Sequence, residues 1–187
     1  MTKQQPGDHR PNARSFVIRE ARADDVADLH DLVRSLAEYE RLTQICVSTQ
    51  ADLADALFGP RPAAEALIAR VDGNSQMCAG FALFFHTYST FLGRRSLWLE
   101  DLFVRPEHRG AGLGRALLVA LAGLARERGC GRFEWAVLDW NAPAIRFYES
   151  LGATVLPDWR IARVTGDALA RLGKDANGAG STPRDRR

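Results

Sequence analysis

Glycines alternate with other residues in the segment 109–114, which reads Arg-Gly-Ala-Gly-Leu-Gly, and good helix formers follow at once. Each glycine costs about 0.5–1 kcal/mol relative to alanine, so such a run needs a reason. A frequent reason is that a ligand approaches the backbone closely, and the N-terminus of a helix favours an anion. The segment therefore predicts an anion-binding loop built from the backbone N–H groups of Gly110 to Arg115.

The spacing of these glycines excludes two well-known phosphate loops. A Walker loop needs four residues between its glycines and then Gly-Lys-Ser/Thr, and no such lysine follows here. A dinucleotide-binding fingerprint places two residues before its third glycine, whereas Gly114 comes one residue early. A glycine-rich turn that only joins a strand to a helix stays open as the alternative.

Composition narrows the class of protein. A chain of 187 residues with 46% hydrophobic residues is typical of a single globular domain. Its net charge of +2 is too small to indicate nucleic acid or an anionic membrane as a partner. No segment is long and apolar enough to span a membrane, and the first fifteen residues lack the apolar run of a signal peptide. Cys46, Cys78 and Cys130 lack metal-ligand spacing, which predicts reduced thiols in a cytoplasmic protein and no metal site.

Periodicity and turn signals predict alternating strands and helices. A first strand starts at Phe16, a helix that Asp24 or Asp25 can cap runs to about Tyr39, and a short helix ends at Gly59. Two strands follow around the turn at 72–74, and then a buried strand at 96–104. The remaining predictions are a helix over about 112–128, a strand over 132–138, a helix over 142–151 and a last strand over 159–164. We expect a disordered segment 1–15, a folded domain 16–172 and a flexible tail 173–187.

Several of these segments together resemble the GNAT superfamily of N-acetyltransferases, and most of all its diamine (spermidine/spermine) and thialysine branch. They read FVIREARADD, LAEYE, WLEDLFV, RGAGLG and WNAPAIRFYESLGA. The resemblance implies an α/β (α+β) fold with a mixed, strongly twisted sheet and helices on both faces. It also implies a splay between the fourth strand, Leu97–Val104, and the fifth, Arg132–Leu138, where acetyl-CoA binds as acetyl donor. In this branch the protein is expected to be a homodimer, for which the segment 159–164 is free to pair with a second subunit.

The resemblance assigns a set of residues to acetyl-CoA. Arg109, Gly112 and Gly114 match the family's pyrophosphate motif, and strand backbone together with the start of a late helix would line the rest. The implied donor site is Leu102, Phe103, Val104, Arg109, Gly110, Ala111, Gly112, Leu113, Gly114, Arg115, Asn141, Ala142, Pro143 and Ala144.

The resemblance also implies roles at the reaction centre. Tyr148 matches the family's general acid toward the CoA sulfur, although an aromatic residue there could only pack the helix. Glu100 is expected in a buried strand as the base that deprotonates the amine, because a lysine-like amine has a pKa near 10.4; the alternative is that it only binds the cation. Tyr39, Glu40, Glu100 and Asp101 would contact the acceptor.

The chain departs from the polyamine enzymes at two anchors. It has Ser89-Thr90-Phe91 where they carry Asp-Pro-Trp, and Pro157-Asp158-Trp159 where they carry Glu-Glu-Gly-Trp. These changes disfavour spermidine and spermine and leave a short diamine, a lysine analogue or another small amine. Two further hypotheses stay open: an acetyltransferase for a protein N-terminus or lysine, and a catalytically silent acetyl-CoA-binding regulatory module.

Overall fold

Five strands pair in chain order to form one mixed sheet. They are β1 Phe16–Glu20, β2 Glu65–Val71, β3 Asn74–Ser89, β4 Arg94–Val104 and β5 Phe133–Trp135. The pairs β1–β2, β2–β3 and β3–β4 are antiparallel, whereas the pair β4–β5 is parallel. The β4–β5 pairing covers Leu97–Leu99 against Phe133–Trp135. Within the described residues, the segment 100–104 of β4 therefore has no strand on that side, as the predicted splay requires.

The computed structural model describes residues 15–178, which divide after Ala136 into two compact units. The first unit holds the sheet and the helices α1 Val26–Glu40, α2 Gln50–Phe58 and α3 Leu113–Glu127. The second unit holds α4 Ala142–Ser150 and α5 Gly166–Gly178. No helix within residues 15–178 combines the length and the apolar character that crossing a membrane requires.

Helices cover both faces of the sheet in the first unit. Successive strand residues point to opposite faces, and one face packs against α1 and α2 in a core cluster that includes Leu29, Leu57, Ile68, Phe81 and Phe103. The opposite face of the sheet is also buried. It packs against the buried apolar stripe of α3, and this helix contacts β2, β3 and β4. The buried residues of this second face include Leu67, Ala69, Ala82, Leu113, Leu117 and Leu121.

Local signals explain where several elements begin and end. Thr49 caps α2: its side chain accepts a hydrogen bond from the backbone N–H of Asp52, and the Asp52 carboxylate accepts one from the backbone N–H of Thr49. Gly59 follows the last residue of α2, and Gly129, with φ +67°, follows the C-cap of α3. The predicted helices and the turn between β2 and β3 are confirmed within one or two residues.

Three sequence predictions differ from the structure. The strand predicted over 132–138 is shorter, Phe133–Trp135. The segment 159–164 forms no strand, and its apolar residues Trp159, Ile161 and Val164 are exposed. An alternating pattern forms a strand only where a neighbouring strand bonds its backbone. The helix α5, Gly166–Gly178, was not predicted, and it reaches into the segment 173–187 that was expected to be a flexible tail. The rest of both predicted termini, 1–14 and 179–187, lies outside the described residues.

Candidate active site

A β-bulge interrupts β4 in the middle of the predicted acceptor segment. Leu83 of β3 pairs with Asp101 and Phe84 pairs with Leu99, which leaves Glu100 as an extra residue. The bulge resets the alternation of the strand. Asp101 consequently shares the face of Leu83 and Phe103, which is the face that α1 covers.

Glu100 is exposed, which corrects the expectation that it lies buried. Its neighbours Leu97 and Leu99 are buried, but the bulge turns the glutamate outward. The indole Nε1–H of Trp98 donates to Oε2 of Glu100 at 2.9 Å. Trp98 was missed in the sequence analysis, although its place two residues before Glu100 in a strand was a usable signal.

Asp101 is half-buried, and burial is the main cause that raises its pKa to about 6. The negative charges of Glu100 and Glu40 raise the pKa further. Glu40 is the last residue of α1, and burial raises its pKa as well. The negative charges of Glu40, at the end of α1, and of Glu100, on β4, thus both act on the carboxyl group of Asp101. A cation bound beside Asp101 would relieve this repulsion.

Arg109 connects the predicted donor loop to the predicted acceptor residues. Its guanidinium carbon lies 4.6 Å from the centroid of the Tyr39 ring and 5.6 Å from that of Phe103. Its Nε–H donates to the carbonyl oxygen of Val104 at 2.9 Å. The structure therefore brings together Tyr39, Phe103, Val104 and Arg109, which the sequence analysis had assigned to two different ligands.

The glycine loop has the backbone that an anion cradle needs. Gly110 and Gly112 have φ values of +77° and +82°, in the left-handed region that favours glycine. Gly112 is the N-cap of α3, so the first N–H groups of the helix, at Leu113, Gly114 and Arg115, have no acceptor inside it. A Cβ built on Gly110 or Gly112 would meet no atom within 4 Å, so the loop surface is open.

The side chains around this loop divide between anchoring and access. Leu113 is buried and fixes the start of α3 to the sheet, so only its backbone faces a ligand. Ala111 and Arg115 are exposed. The residues present therefore fit an anionic group bound by backbone N–H donors.

The second unit carries the remaining predicted residues on α4. Asn141 is buried and caps this helix, its Oδ1 accepting from the Ala144 N–H at 3.3 Å. Ala142 and Pro143 form the first turn and are exposed. Tyr148 is half-buried, and its ring lies 5.4 Å from that of Phe147 between centroids.

Residues 29–153 match the family model described as Acetyltransferase (GNAT) family. The chain belongs to the GNAT family. Its relatives include the L-ornithine N5-acetyltransferase of Arabidopsis thaliana, which is 35% identical over 90% of this chain and 91% of that protein. The thialysine N-epsilon-acetyltransferase of Mus musculus is 39% identical over 83% of this chain and 95% of that protein.

A solved structure agrees with this placement. An integron cassette protein from the mobile metagenome of V. cholerae superposes with a TM-score of 0.71 at 26% identity, covering 86% of this chain and 98% of that one. The chain with the sequence given above is therefore an N-acetyltransferase. Its resemblance to the diamine and thialysine branch is confirmed.

Proposed function

We propose that this GNAT enzyme transfers the acetyl group of acetyl-CoA directly to a primary amine of a small cationic acceptor, such as a diamine or a lysine analogue. The observation that carries the proposal is the arrangement within the first unit. The carboxylates of Glu40 and Glu100 interact electrostatically with that of Asp101. Arg109 of the glycine loop lies over the rings of Tyr39, next to Glu40 in sequence, and of Phe103, two residues after Asp101. An anionic donor and a cationic acceptor would thus have neighbouring sites of opposite preference.

The donor would lie along the glycine loop and the end of β4. The N–H groups of Gly110 to Arg115 would bind the pyrophosphate of acetyl-CoA, with the dipole of α3 behind them. The family resemblance assigns the backbone of Leu102, Phe103 and Val104 to the pantetheine arm. These residues follow the last β4–β5 pair, and of their carbonyl groups that of Val104 already accepts from Arg109. The family resemblance adds Asn141 to Ala144 of α4 to this set.

The chemistry requires a neutral amine, an aligned thioester and a proton for the departing thiolate. The carboxylates of β4 would hold the ammonium and take its proton. The family resemblance assigns the proton for the CoA sulfur to Tyr148, whose phenol is a donor at neutral pH.

A short acceptor fits the β3–β4 turn better than a long polycation. The hydroxyl of Ser89 accepts from the Leu92 N–H at 3.3 Å and is used in closing the turn, while Phe91 is 97% exposed. Ser89 stands where the polyamine enzymes carry an aspartate, so the carboxylate that could bind a distant ammonium is missing at this turn. The named acceptors of the two relatives, ornithine and thialysine, are short amino acids with a side-chain amine.

The assembly and location of the enzyme are further parts of the proposal. We expect residues 16–172 to form one acetyltransferase domain, because the family match at 29–153 extends over both units. The exposed apolar residues at 159–164 suit pairing in a homodimer. Free thiols at Cys46, Cys78 and Cys130 suit the reducing cytoplasm.

The test is a CoA-release screen with acetyl-CoA over short diamines, L-ornithine, thialysine, spermine, aminoglycosides and peptides. We expect turnover of short amines and little or none with spermine or peptides. Faster turnover of a peptide would favour the protein acetyltransferase, and tight acetyl-CoA binding with no turnover of any amine would favour the silent module.

A further inference from the structure

We propose that Trp98 is a positioning residue for Glu100. Its indole N–H holds one oxygen of the Glu100 carboxylate and leaves the other oxygen to take the proton of the acceptor amine. This inference rests on the proposed amine acetyltransferase function, in which the carboxylates of β4 hold the ammonium and accept its proton. Trp98 acts on the reaction only through Glu100.

Glu100 lies where β4 has lost the support of both neighbouring strands. Toward β3 it is the extra residue of the bulge, so within the described residues no β3 residue pairs with it. Toward β5 the last pair joins Leu99 to Trp135, one residue before Glu100. The side chain of Glu100 is also exposed. A long exposed side chain at such a point has several rotamers open to it unless another group selects one.

Trp98, in contrast, is fixed from both sides. It pairs with Phe85 of β3 and with Glu134 of β5, and its side chain is half-buried. Its Nε1–H donates to Oε2 of Glu100 at 2.9 Å, the usual length of an N–H···O hydrogen bond. The indole therefore ties the carboxylate to a part of β4 that both neighbouring strands hold in place.

A neutral donor suits a carboxylate that must attract a cation. Glu134, beside Trp98 on β5, is compensated by Arg132, whose Nε lies 2.6 Å from its carboxylate. Among the residues described, Glu100 forms no ion pair. The indole orients the carboxylate and adds no positive charge, so Glu100 keeps its full charge for an ammonium. An arginine in the place of Trp98 would orient the carboxylate too but would neutralise it.

The charges around Glu100 make an orienting bond necessary. Asp101 follows Glu100 on β4 and interacts electrostatically with it and with Glu40 at the end of α1. Like charges repel, so the exposed Glu100 side chain would turn away from Asp101 into solvent. The hydrogen bond from Trp98 opposes this movement and keeps the carboxylate beside the strand.

The second oxygen of the carboxylate is open to the acceptor. Within residues 15–178, no group donates a hydrogen bond to Oε1 of Glu100. An ammonium, or a water bound to it, would give its proton to Oε1 while Oε2 stays on the indole. The carboxylic acid then returns the proton to solvent, and Trp98 keeps its own proton throughout because an indole N–H is only a donor.

The experiment is a double-mutant cycle of Trp98→Phe and Glu100→Ala, with kcat and KM measured for L-ornithine or, if it is turned over faster, thialysine. Trp98→Phe keeps an aromatic ring and removes the N–H. We expect kcat at pH 7 to fall about tenfold, with little change in KM for the amine because the charge of Glu100 remains. In the Glu100→Ala background the same substitution should cost nothing further, since no carboxylate is left to orient.

The pH profile separates positioning from a structural role. The deficit of Trp98→Phe should shrink as pH rises toward the pKa of the acceptor amine, because free amine needs no base. The matched control is Phe85→Leu, on the neighbouring rung of β3, which should lower the free energy of unfolding and leave kcat per folded molecule nearly unchanged. If Trp98→Phe does not fold, a benzothienylalanine at position 98, which exchanges the N–H for sulfur in a ring of the same shape, gives the same comparison.

Two kinds of result are distinguishable. The inference is overturned if removal of the N–H leaves kcat unchanged, if it lowers kcat equally with and without Glu100, or if the deficit is the same at every pH. A wild type that acetylates no amine would instead contradict the proposed function.

Discussion

The guanidinium of Arg109 lies over the ring of Tyr39, 4.6 Å from its centroid, while its Nε–H donates to the Val104 carbonyl at 2.9 Å. The two residues are 70 positions apart in sequence, one at the end of α1 and one before α3. The contact couples the two proposed ligand sites, since an anion at the glycine loop competes with Tyr39 for the same guanidinium.

Tyr39→Leu should tighten acetyl-CoA binding. An exposed cation–π contact contributes about 0.5–1 kcal/mol, so its removal from the free enzyme should lower Kd for acetyl-CoA by about 2–5-fold. Tyr39→Phe keeps the ring face and serves as the matched control, with Kd nearly unchanged. Isothermal titration calorimetry measures both, and weaker binding by Tyr39→Leu would show that Arg109 stays on Tyr39 in the complex.

Gly112→Val should abolish or strongly weaken acetyl-CoA binding, because it places a side chain where the pyrophosphate would lie. Its positive φ adds backbone strain of about 1–2 kcal/mol, so a control with equal strain is needed. Gly129→Val provides it at the far end of α3, with φ +67° and equally open surroundings. Calorimetry on the folded variants should show lost affinity only for Gly112→Val; equal affinity in both would make the loop a simple connection.

Tyr148→Phe should reduce kcat by about 10²–10⁴-fold with acetyl-CoA affinity nearly intact, because it removes only the proton donor. Raising the pH should not restore its rate, since free amine does not replace an acid. The neighbouring substitution Phe147→Leu tests the packing of the same helix. It should lower the free energy of unfolding and leave kcat per folded molecule nearly unchanged. A nearly silent Tyr148→Phe would leave the tyrosine with a packing role alone.

Asp25→Ala should destabilise the start of α1 and with it the element that carries Tyr39 and Glu40. Burial alone would raise the pKa of Asp25, but hydrogen bonds from Arg19, Arg70 and the Arg22 N–H outweigh it and hold this pKa well below its usual value. Breaking such a buried pair costs about 3–5 kcal/mol of unfolding free energy. Asp24 is exposed, so Asp24→Ala serves as the control and should change the free energy of unfolding by less than about 0.5 kcal/mol.

The pH dependence of the Asp25 effect has a definite sign. A depressed folded-state pKa means that the stabilisation is present above the unfolded pKa near 3.9 and is lost as pH falls through the folded value. Urea unfolding from pH 7 down to pH 3 should therefore show the gap between wild type and Asp25→Ala narrowing toward acid. A constant gap would assign the effect to packing.

Local signals in the sequence were enough for the elements that local chemistry decides. The capping pair Thr49 and Asp52 and the stop at Gly59 define α2 without reference to the rest of the fold. The glycines at 110 and 112 likewise mark the two loop positions at which φ is positive.

Features that depend on pairing between distant segments were not predictable. The bulge at Glu100 arises from the register of β4 against β3, and it decides which of two adjacent carboxylates is exposed. The alternation of 159–164 suggests a strand, but a strand also requires a partner that sequence does not reveal. The contact between Arg109 and Tyr39 depends on how α1 packs beside β4.

The central claim is that a short amine receives the acetyl group of acetyl-CoA. Its most direct test is a single competition reaction in which the enzyme and acetyl-CoA meet equimolar L-ornithine, thialysine, spermine and a lysine-containing peptide, with products quantified by mass spectrometry. We predict acetylation of L-ornithine or thialysine on a primary amine, at least about tenfold faster than that of spermine or the peptide. Preferential acetylation of the peptide, or no acetylated product from any of the four, would contradict the account.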